Sequence, residues 1–378
     1  MKSLYIHIPF CKQRCFYCDF NSYSGIDNLI DEYIKALKKE IEIIAKENKV
    51  FKTIYIGGGT PSFIDEQYIK DLLSLVKSDG EITAEVNPGT VTKEKLLYYK
   101  SAGINRLSIG LQTTKDNLLK TIGRIHNLED FEKTYNLARE VGFENINVDL
   151  MFGLPNQKIE DVEESVNYLI CKNPEHISCY SLIVHDENVT KYPDVFNNLP
   201  NDEEERQMYY MICNKLKEAG YIQYEISNFA KPSFESKHNM CYWNQEEYYG
   251  VGAGASSYVC EKRYTNVLDV KEYIRKIGEL DNYSLEDLMK NVANVEETQT
   301  KESKLKEYII LRLRLLEGVS EKEVQNRFDV DLFKYFNNEI SSLIDAELLV
   351  IEQKNDDKFL RLSSKGLDLA NIVWEEFV

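Results

Sequence analysis

An excess of positive charge is missing from this 378-residue chain: Lys and Arg total 46 against 63 Asp and Glu, a formal net charge of −17 at pH 7. Such a chain repels nucleic acid and anionic lipid unless a local basic patch prevails. Also missing is any apolar run of about 18 residues, the length a spanning helix needs, and mean hydropathy is −0.43. The opening segment has one Lys and then a mixed stretch, Leu4–Phe10, that runs through Pro9 into a cysteine. It lacks the long apolar core of a signal peptide. The expectation is a cytoplasmic protein with no integral membrane segment and no nucleic-acid partner. Cysteine is sparse, eight in all, which excludes a disulfide scaffold. Three of the eight cluster at Cys11, Cys15 and Cys18; Cys171, Cys179, Cys213 and Cys260 read as small scattered hydrophobes, and Cys241 has unusual neighbours.

What is present is enough apolar sequence, 43% of residues, to fold around a core. The length suggests two or three domains, or one large α/β barrel with an appendage. Short β-branched runs at Leu4–Ile8, Thr53–Ile56, Ile82–Val86, Arg106–Ile109, Ile146–Leu150 and His176–Leu182 alternate with helical stripes. The helices are expected over Leu29–Ala45, Glu66–Lys77, Lys93–Ser101, Leu128–Val141, Ile159–Ile170 and Glu203–Ala219. Gly103, Gly142 and Gly220 follow three of them, as glycines that end helices do. Six such units build a parallel sheet that curls but cannot close an eight-fold barrel. The fold class expected is therefore α/β: a partial (β/α)6 TIM-like barrel over 1–220, an aromatic- and glycine-rich extension and linker over 221–300, and a C-terminal α+β winged-helix-like module over 301–378. Within the extension, 281–303 reads as a polar linker or exposed helix pair. The terminal module has helical stretches followed by a hairpin, Leu348–Ile351 and Phe359–Leu362, turning around Asn355–Asp357. Its few clustered basic residues favour packing or partner docking over DNA binding.

The segment His7-Ile8-Pro9-Phe10-Cys11-Lys12-Gln13-Arg14-Cys15-Phe16-Tyr17-Cys18-Asp19-Phe20 places three thiols directly after the first strand. That loop falls at the C-terminal mouth of a parallel barrel, where active sites collect. Three soft sulfur ligands suit zinc, with His7 or Asp19 as a fourth ligand, or an iron–sulfur cubane with one iron left open. Gly57-Gly58-Gly59-Thr60-Pro61 follows the second strand and allows close backbone approach to a ligand. Glu85, Gln112 and Asp149 end the third, fourth and fifth strands, and Arg124 lies in the helix region after the fourth.

The Cys-x3-Cys-x2-Cys spacing resembles the radical S-adenosylmethionine (SAM) superfamily, and the strings around it resemble its anaerobic coproporphyrinogen III oxidase group over nearly the whole chain. The resemblance implies a [4Fe–4S] cluster on Cys11, Cys15 and Cys18, with SAM chelating the open iron and cleaved by an electron from the cluster. It also implies an electron donor such as flavodoxin or ferredoxin. It assigns SAM contacts to Tyr5, Tyr17, Gly58, Gly59, Thr60, Glu85, Gln112, Arg124 and Asp149. Carboxylates and amides suit ribose hydroxyls and an α-amino group, and a guanidinium suits a carboxylate.

Two departures separate branches of that group. The oxidase carries a fourth cysteine where this chain has Phe20, and an N-terminal extension where this chain starts at its first barrel strand. Both resemble instead the HemW-type heme chaperone branch, as does His238-Asn239-Met240-Cys241-Tyr242-Trp243, which matches that branch's His-Asn-x-x-Tyr-Trp motif. A flat macrocycle wants aromatic faces such as Tyr242, Trp243, Tyr248 and Tyr249. Heme iron wants an axial imidazole or thiolate, so His238 is the first candidate ligand and Cys241 the second; the competing role for His238 is to order its own loop. The glycine run Gly250–Ala255 reads as close packing against cofactor. The function expected is a heme chaperone delivering heme to acceptor haemoproteins, with coproporphyrinogen oxidation as the alternative.

Overall fold

The computed structural model describes residues 1–280 and 284–378. Six parallel strands lie side by side in chain order: β1 (Ser3–Ile8), β2 (Val50–Gly58), β3 (Lys77–Val86), β4 (Arg106–Gln112), β5 (Ile146–Phe152) and β6 (His176–Ser181). All six expected strands form, several of them longer at one or both ends. The helices Ile30–Glu47, Glu66–Ser74, Lys93–Ser101, Leu128–Val141, Ile159–Lys172 and Asp202–Glu218 follow one strand each.

Strand alternation decides what each face carries. Leu4, Ile6 and Ile8, Ile54 and Ile56, Ile82 and Ala84, Leu107 and Ile109, and Val148 and Leu150 are buried in one continuous apolar core with the helices. The residues between them are polar: Tyr55, Glu85, Arg106, Ser108, Asn147, Asp149 and Ser178 line a cavity. Period-two patterning thus gives a barrel with an apolar outside and a polar inside.

Six further strands extend this sheet at its two edges. β7 (Ile222–Gln223) and β8 (Asn228–Ala230) continue beyond β6, with β8 antiparallel to it. On the other side β9 (Tyr248–Val251) pairs parallel with β1, followed by the antiparallel strands β10 (Ser256–Val259), β11 (Lys262–Asn266) and β12 (Ala293–Thr298). The region expected as a linker or helix pair over 281–303 is therefore part of the sheet: it carries helix Leu285–Asn291 and β12, and its first three residues lie outside those described.

The C-terminal module has its own apolar core, including Leu305, Ile309, Val324, Phe336, Leu360 and Val373. Helices Lys301–Leu313, Glu321–Phe328 and Asn337–Asp345 pack on a three-stranded sheet of β13 (Val319–Ser320), β14 (Leu349–Lys354) and β15 (Asp357–Leu362). The hairpin turns with Asn355 at φ +53°, a left-handed position that Asn tolerates. Among the described residues, no helix is long and apolar enough to cross a membrane.

Candidate functional site

The loop after β1 is pinned before any cofactor is considered. Cys11 N–H donates to Tyr23 O at 2.8 Å, Tyr23 N–H donates to Pro9 O at 2.7 Å, and Phe16 N–H donates to Ile122 O at 3.1 Å. Asn21 Nδ2 donates to Ala253 O at 3.0 Å and to Leu268 O at 2.9 Å. Here the glycine run departs from its expected role. A Cβ on Gly254 would stand 2.5 Å from Asn21 Nδ2, and one on Gly252, at φ +101°, would stand 2.4 Å from the Tyr33 hydroxyl. The run therefore permits close approach of protein to protein, behind the cysteine loop, rather than to a cofactor. Buried Glu40 fixes it further by accepting from Gly252 N and Asn266 Nδ2, each at 2.8 Å.

Cys11, Cys15 and Cys18 all face one cavity of about 360 Å³ at the mouth of the barrel, shared with Gly58, Gly59, Thr60, Glu85, Gln112, Arg124 and Asp149. Thr60 Oγ1 donates to Cys11 Sγ at 3.4 Å, and Cys18 Sγ lies 3.4 Å from Ser22 Oγ. Burial pushes the Cys11 thiol up, and the charges of Cys18 and Cys15 add to it. A bound cationic centre would relieve that cost. Among the described residues no three His, Cys, Asp or Glu side chains converge as ligands of a single metal ion. A cubane asks for a broader set, because each thiolate binds a different iron. Three thiols on one cavity wall, with hydroxyls on two of the sulfurs and a glycine backbone alongside, fit such a cluster.

The polar wall beside the thiols is tightly connected. Glu85 accepts from the Tyr55 hydroxyl at 2.9 Å and from Gly58 N–H at 3.1 Å. Burial, then the nearby Asp149 charge, raises its carboxyl to about 7. Asp149 accepts from Asn147 Nδ2 at 2.7 Å, and burial raises its pKa too. Arg124 donates from Nη2 to the Tyr17 hydroxyl at 2.7 Å and from Nη1 to Asn87 Oδ1 at 3.1 Å, while Asn87 Nδ2 donates to Thr60 Oγ1 at 2.9 Å. Gln112 sits at φ +68°, where β4 slips register against β5. A non-glycine residue held there marks backbone strain at a ligand cavity. The wall can meet an ammonium with carboxylates and a carboxylate with a guanidinium.

Tyr55, Asn87, Arg106, Asn147 and Tyr180 belong to this wall and were not picked out as site residues from sequence. Strand parity could have found four of them: Tyr55 is two residues before Gly57, and Arg106, Asn147 and Tyr180 lie in step with Ser108, Asp149 and Ser178. Tyr5, expected here, stands outside the wall, stacked on Tyr55 with its hydroxyl 3.0 Å from His7 Nδ1.

The expected heme-binding motif lies elsewhere. Helix Lys237–Trp243 plugs the opposite end of the barrel, against Ser3, Thr53 and Glu81 of β1, β2 and β3. Glu81 accepts from the His238 and Lys237 N–H groups at 3.1 and 3.3 Å. His238 is buried, with Nδ1 2.8 Å from Thr53 Oγ1 and Nε2 2.8 Å from the Tyr242 hydroxyl. Burial lowers its pKa to about 3, so the ring is neutral and both nitrogens are engaged within the protein. Cys241 is fully buried, bonded to Ser3 Oγ at 3.0 Å and Lys237 O at 3.2 Å. Tyr242 packs edge-on against His238 and Tyr248. Trp243 faces away, under the Arg314 guanidinium at 4.5 Å. In this arrangement the motif orders the plug and its joint with the C-terminal module; only Asn239 of it reaches the cavity.

Comparison with known proteins agrees with this architecture. The model of the radical SAM superfamily matches residues 5–169, and that of the HemN C-terminal domain matches residues 299–369. The heme chaperone HemW of Bacillus subtilis (strain 168) is 40% identical over 391 residues, covering 100% of this chain and 99% of that protein. The heme chaperone HemW of Lactococcus lactis subsp. lactis (strain IL1403) is 36% identical over 384 residues, covering 100% and 97%. The solved structure of coproporphyrinogen III oxidase (HemN) from Escherichia coli has a TM-score of 0.85 at 22% identity, covering 99% of this chain and 89% of that one; at that identity the likeness speaks for the fold. Full-length identity at this level, on a barrel with three cysteines at its mouth, makes this chain a member of the HemW heme chaperone family within the radical SAM superfamily.

Proposed function

We propose that this chain binds heme in the cytoplasm and hands it to acceptor haemoproteins, on a scaffold that holds a [4Fe–4S] cluster and SAM. The observation that carries the cofactor part is the gathering of Cys11, Cys15 and Cys18 with Gly58, Gly59, Thr60 and Glu85 around one cavity. The heme part is supported by full-length relatives that are themselves heme chaperones. Cys11, Cys15 and Cys18 would hold the cluster. Glu85 and the Gly58–Thr60 backbone would take the α-amino group of SAM, Arg124 its carboxylate, and Gln112 and Asp149 its ribose. When bound, the cluster and SAM supply one-electron reductive chemistry. The protein orients the pair and excludes water with Tyr17, Tyr55 and Met151. The electron would come from a donor such as flavodoxin or ferredoxin.

The second reading, coproporphyrinogen oxidation, is favoured by the match of residues 299–369 to the HemN C-terminal domain family. One anaerobically reconstituted sample separates the two. Heme titration is expected to give a stoichiometric complex, and incubation with SAM, reductant and coproporphyrinogen is expected to leave the substrate unchanged. Rapid protoporphyrinogen formation would reverse that choice. Cys15→Ala is expected to lose iron and sulfide; unchanged contents would remove Cys15 from the ligand set.

A further inference from the structure

With His238 and Cys241 engaged in the plug, the heme-chaperone reading needs another iron ligand, and the structure narrows the choice. The chain has five histidines. Four are buried, three with both ring nitrogens engaged and His126 with one. His7 contacts the Tyr5 hydroxyl and Asn21 O, His176 contacts Asn147 and Tyr224, His238 contacts Thr53 and Tyr242, and His126 contacts Leu111 O. The fifth, His185, has 54% of its side chain exposed.

Its surroundings suit a tetrapyrrole. It does not line the cavity itself but stands beside it, two residues after Ile183 and next to Asp19, both of which do; the wall residues Phe20 and Ile183 are 62% and 69% exposed. Two large apolar side chains exposed beside one concave site offer a macrocycle faces to lie against. The two sides of the rim are joined: Asn188 Nδ2 donates to Phe16 O at 2.6 Å, and Phe16 packs on Tyr192 with centroids 4.5 Å apart. Asp19 Oδ2 lies 3.6 Å from His185 Nε2. A carboxylate beside one imidazole nitrogen favours the tautomer that leaves the other lone pair for a metal. Arg14, on the same wall, brings positive charge for a propionate.

We infer that the mouth of the cavity is the heme site, with His185 as the axial iron ligand and Phe20 and Ile183 against the macrocycle. This rests on the heme-chaperone reading, and the test keeps the two apart. Heme is titrated into the reconstituted full-length protein, followed by absorbance, for the unaltered chain, His185→Ala, His185→Gly and Phe20→Ser. The expected result is a shifted Soret band in both His185 variants and heme binding weakened about tenfold or more. Added imidazole should restore the original spectrum in His185→Gly, a rescue that a merely structural role would not show. Phe20→Ser should weaken binding while leaving the Soret position. An unaltered chain that forms no heme complex would overturn the chaperone reading itself. A complex whose spectrum and affinity are the same in His185→Ala, or a shift in His185→Gly that imidazole does not reverse, would overturn the ligand assignment and leave the chaperone reading standing.

Discussion

Glu85 shows how one carboxylate can be set for a cationic ligand. Its carboxyl is raised to about 7, first by burial and then by Asp149. An acid whose folded value lies above its unfolded value holds an extra proton in the native state between the two. Stability of the ligand-free protein should therefore fall as pH rises from about 4.5 to about 7, and Glu85→Gln should flatten that decline in urea titrations. An ammonium group on Glu85 reverses the preference, because it favours the ionised form. SAM affinity is expected to drop about tenfold per unit of pH below about 7. Calorimetry in buffers of differing ionisation heat should detect proton release on binding, and Glu85→Gln should abolish both effects. At this scale the sequence was informative about place: Glu85, Arg124 and Asp149 line the same cavity as the three cysteines. It was uninformative about His238, because an imidazole reads as a ligand until its neighbours are known. Those neighbours, Thr53 and Tyr242, come from a strand 185 residues away and from the same helix.

The elements that hold the thiols owe their precision to backbone proximity. A Cβ on Gly59 would stand 3.0 Å from Cys11 Sγ and 2.9 Å from the Pro9 carbonyl carbon, and the Pro9 backbone has no flexible end to move aside. Gly59→Ala is expected to displace the cysteine loop, with loss of cluster iron and sulfide and a stability cost of about 1–3 kcal/mol. Far-ultraviolet circular dichroism should remain near that of the unaltered chain, and full cluster loading would count against the close-approach argument. The six parallel strands were legible because their outward residues, mostly Ile, Leu and Val, alternate with polar residues or glycine. The edge strands β9–β12 were not. Gly250 sits inside β9 because a Cβ there would meet Ser256 O at 2.1 Å, so a strand residue carries the mark of a turn. In the same way, what the Gly250–Ala255 run touches, Asn21 and Tyr33, lies more than 200 residues back along the chain.

The whole molecule is joined through the plug helix. Arg314 of the C-terminal module lies over both Trp243 and Trp374, at 4.5 and 5.5 Å, and 3.6 Å from the Glu225 carboxylate, which is fully buried. Arg312 Nη1 donates to Asn244 Oδ1 at 2.6 Å, and Arg327 Nη1 donates to Asn244 O at 2.8 Å. Arg314→Ala would leave the Glu225 charge in the interior without its cation, at a cost of about 3 kcal/mol. Chemical denaturation should show that loss, and adding Glu225→Gln should recover part of it; equal stability of single and double variants would mean the pair is not coupled. The same plug has a consequence for traffic. With one end of the cavity stoppered by Lys237–Trp243, a small molecule and a macrocycle bound as proposed would share one doorway, and whichever sat nearer the entrance would govern when the inner one could leave. On that proposal the order of loading would follow from the architecture: SAM admitted before heme would be trapped behind it until the cargo is handed on.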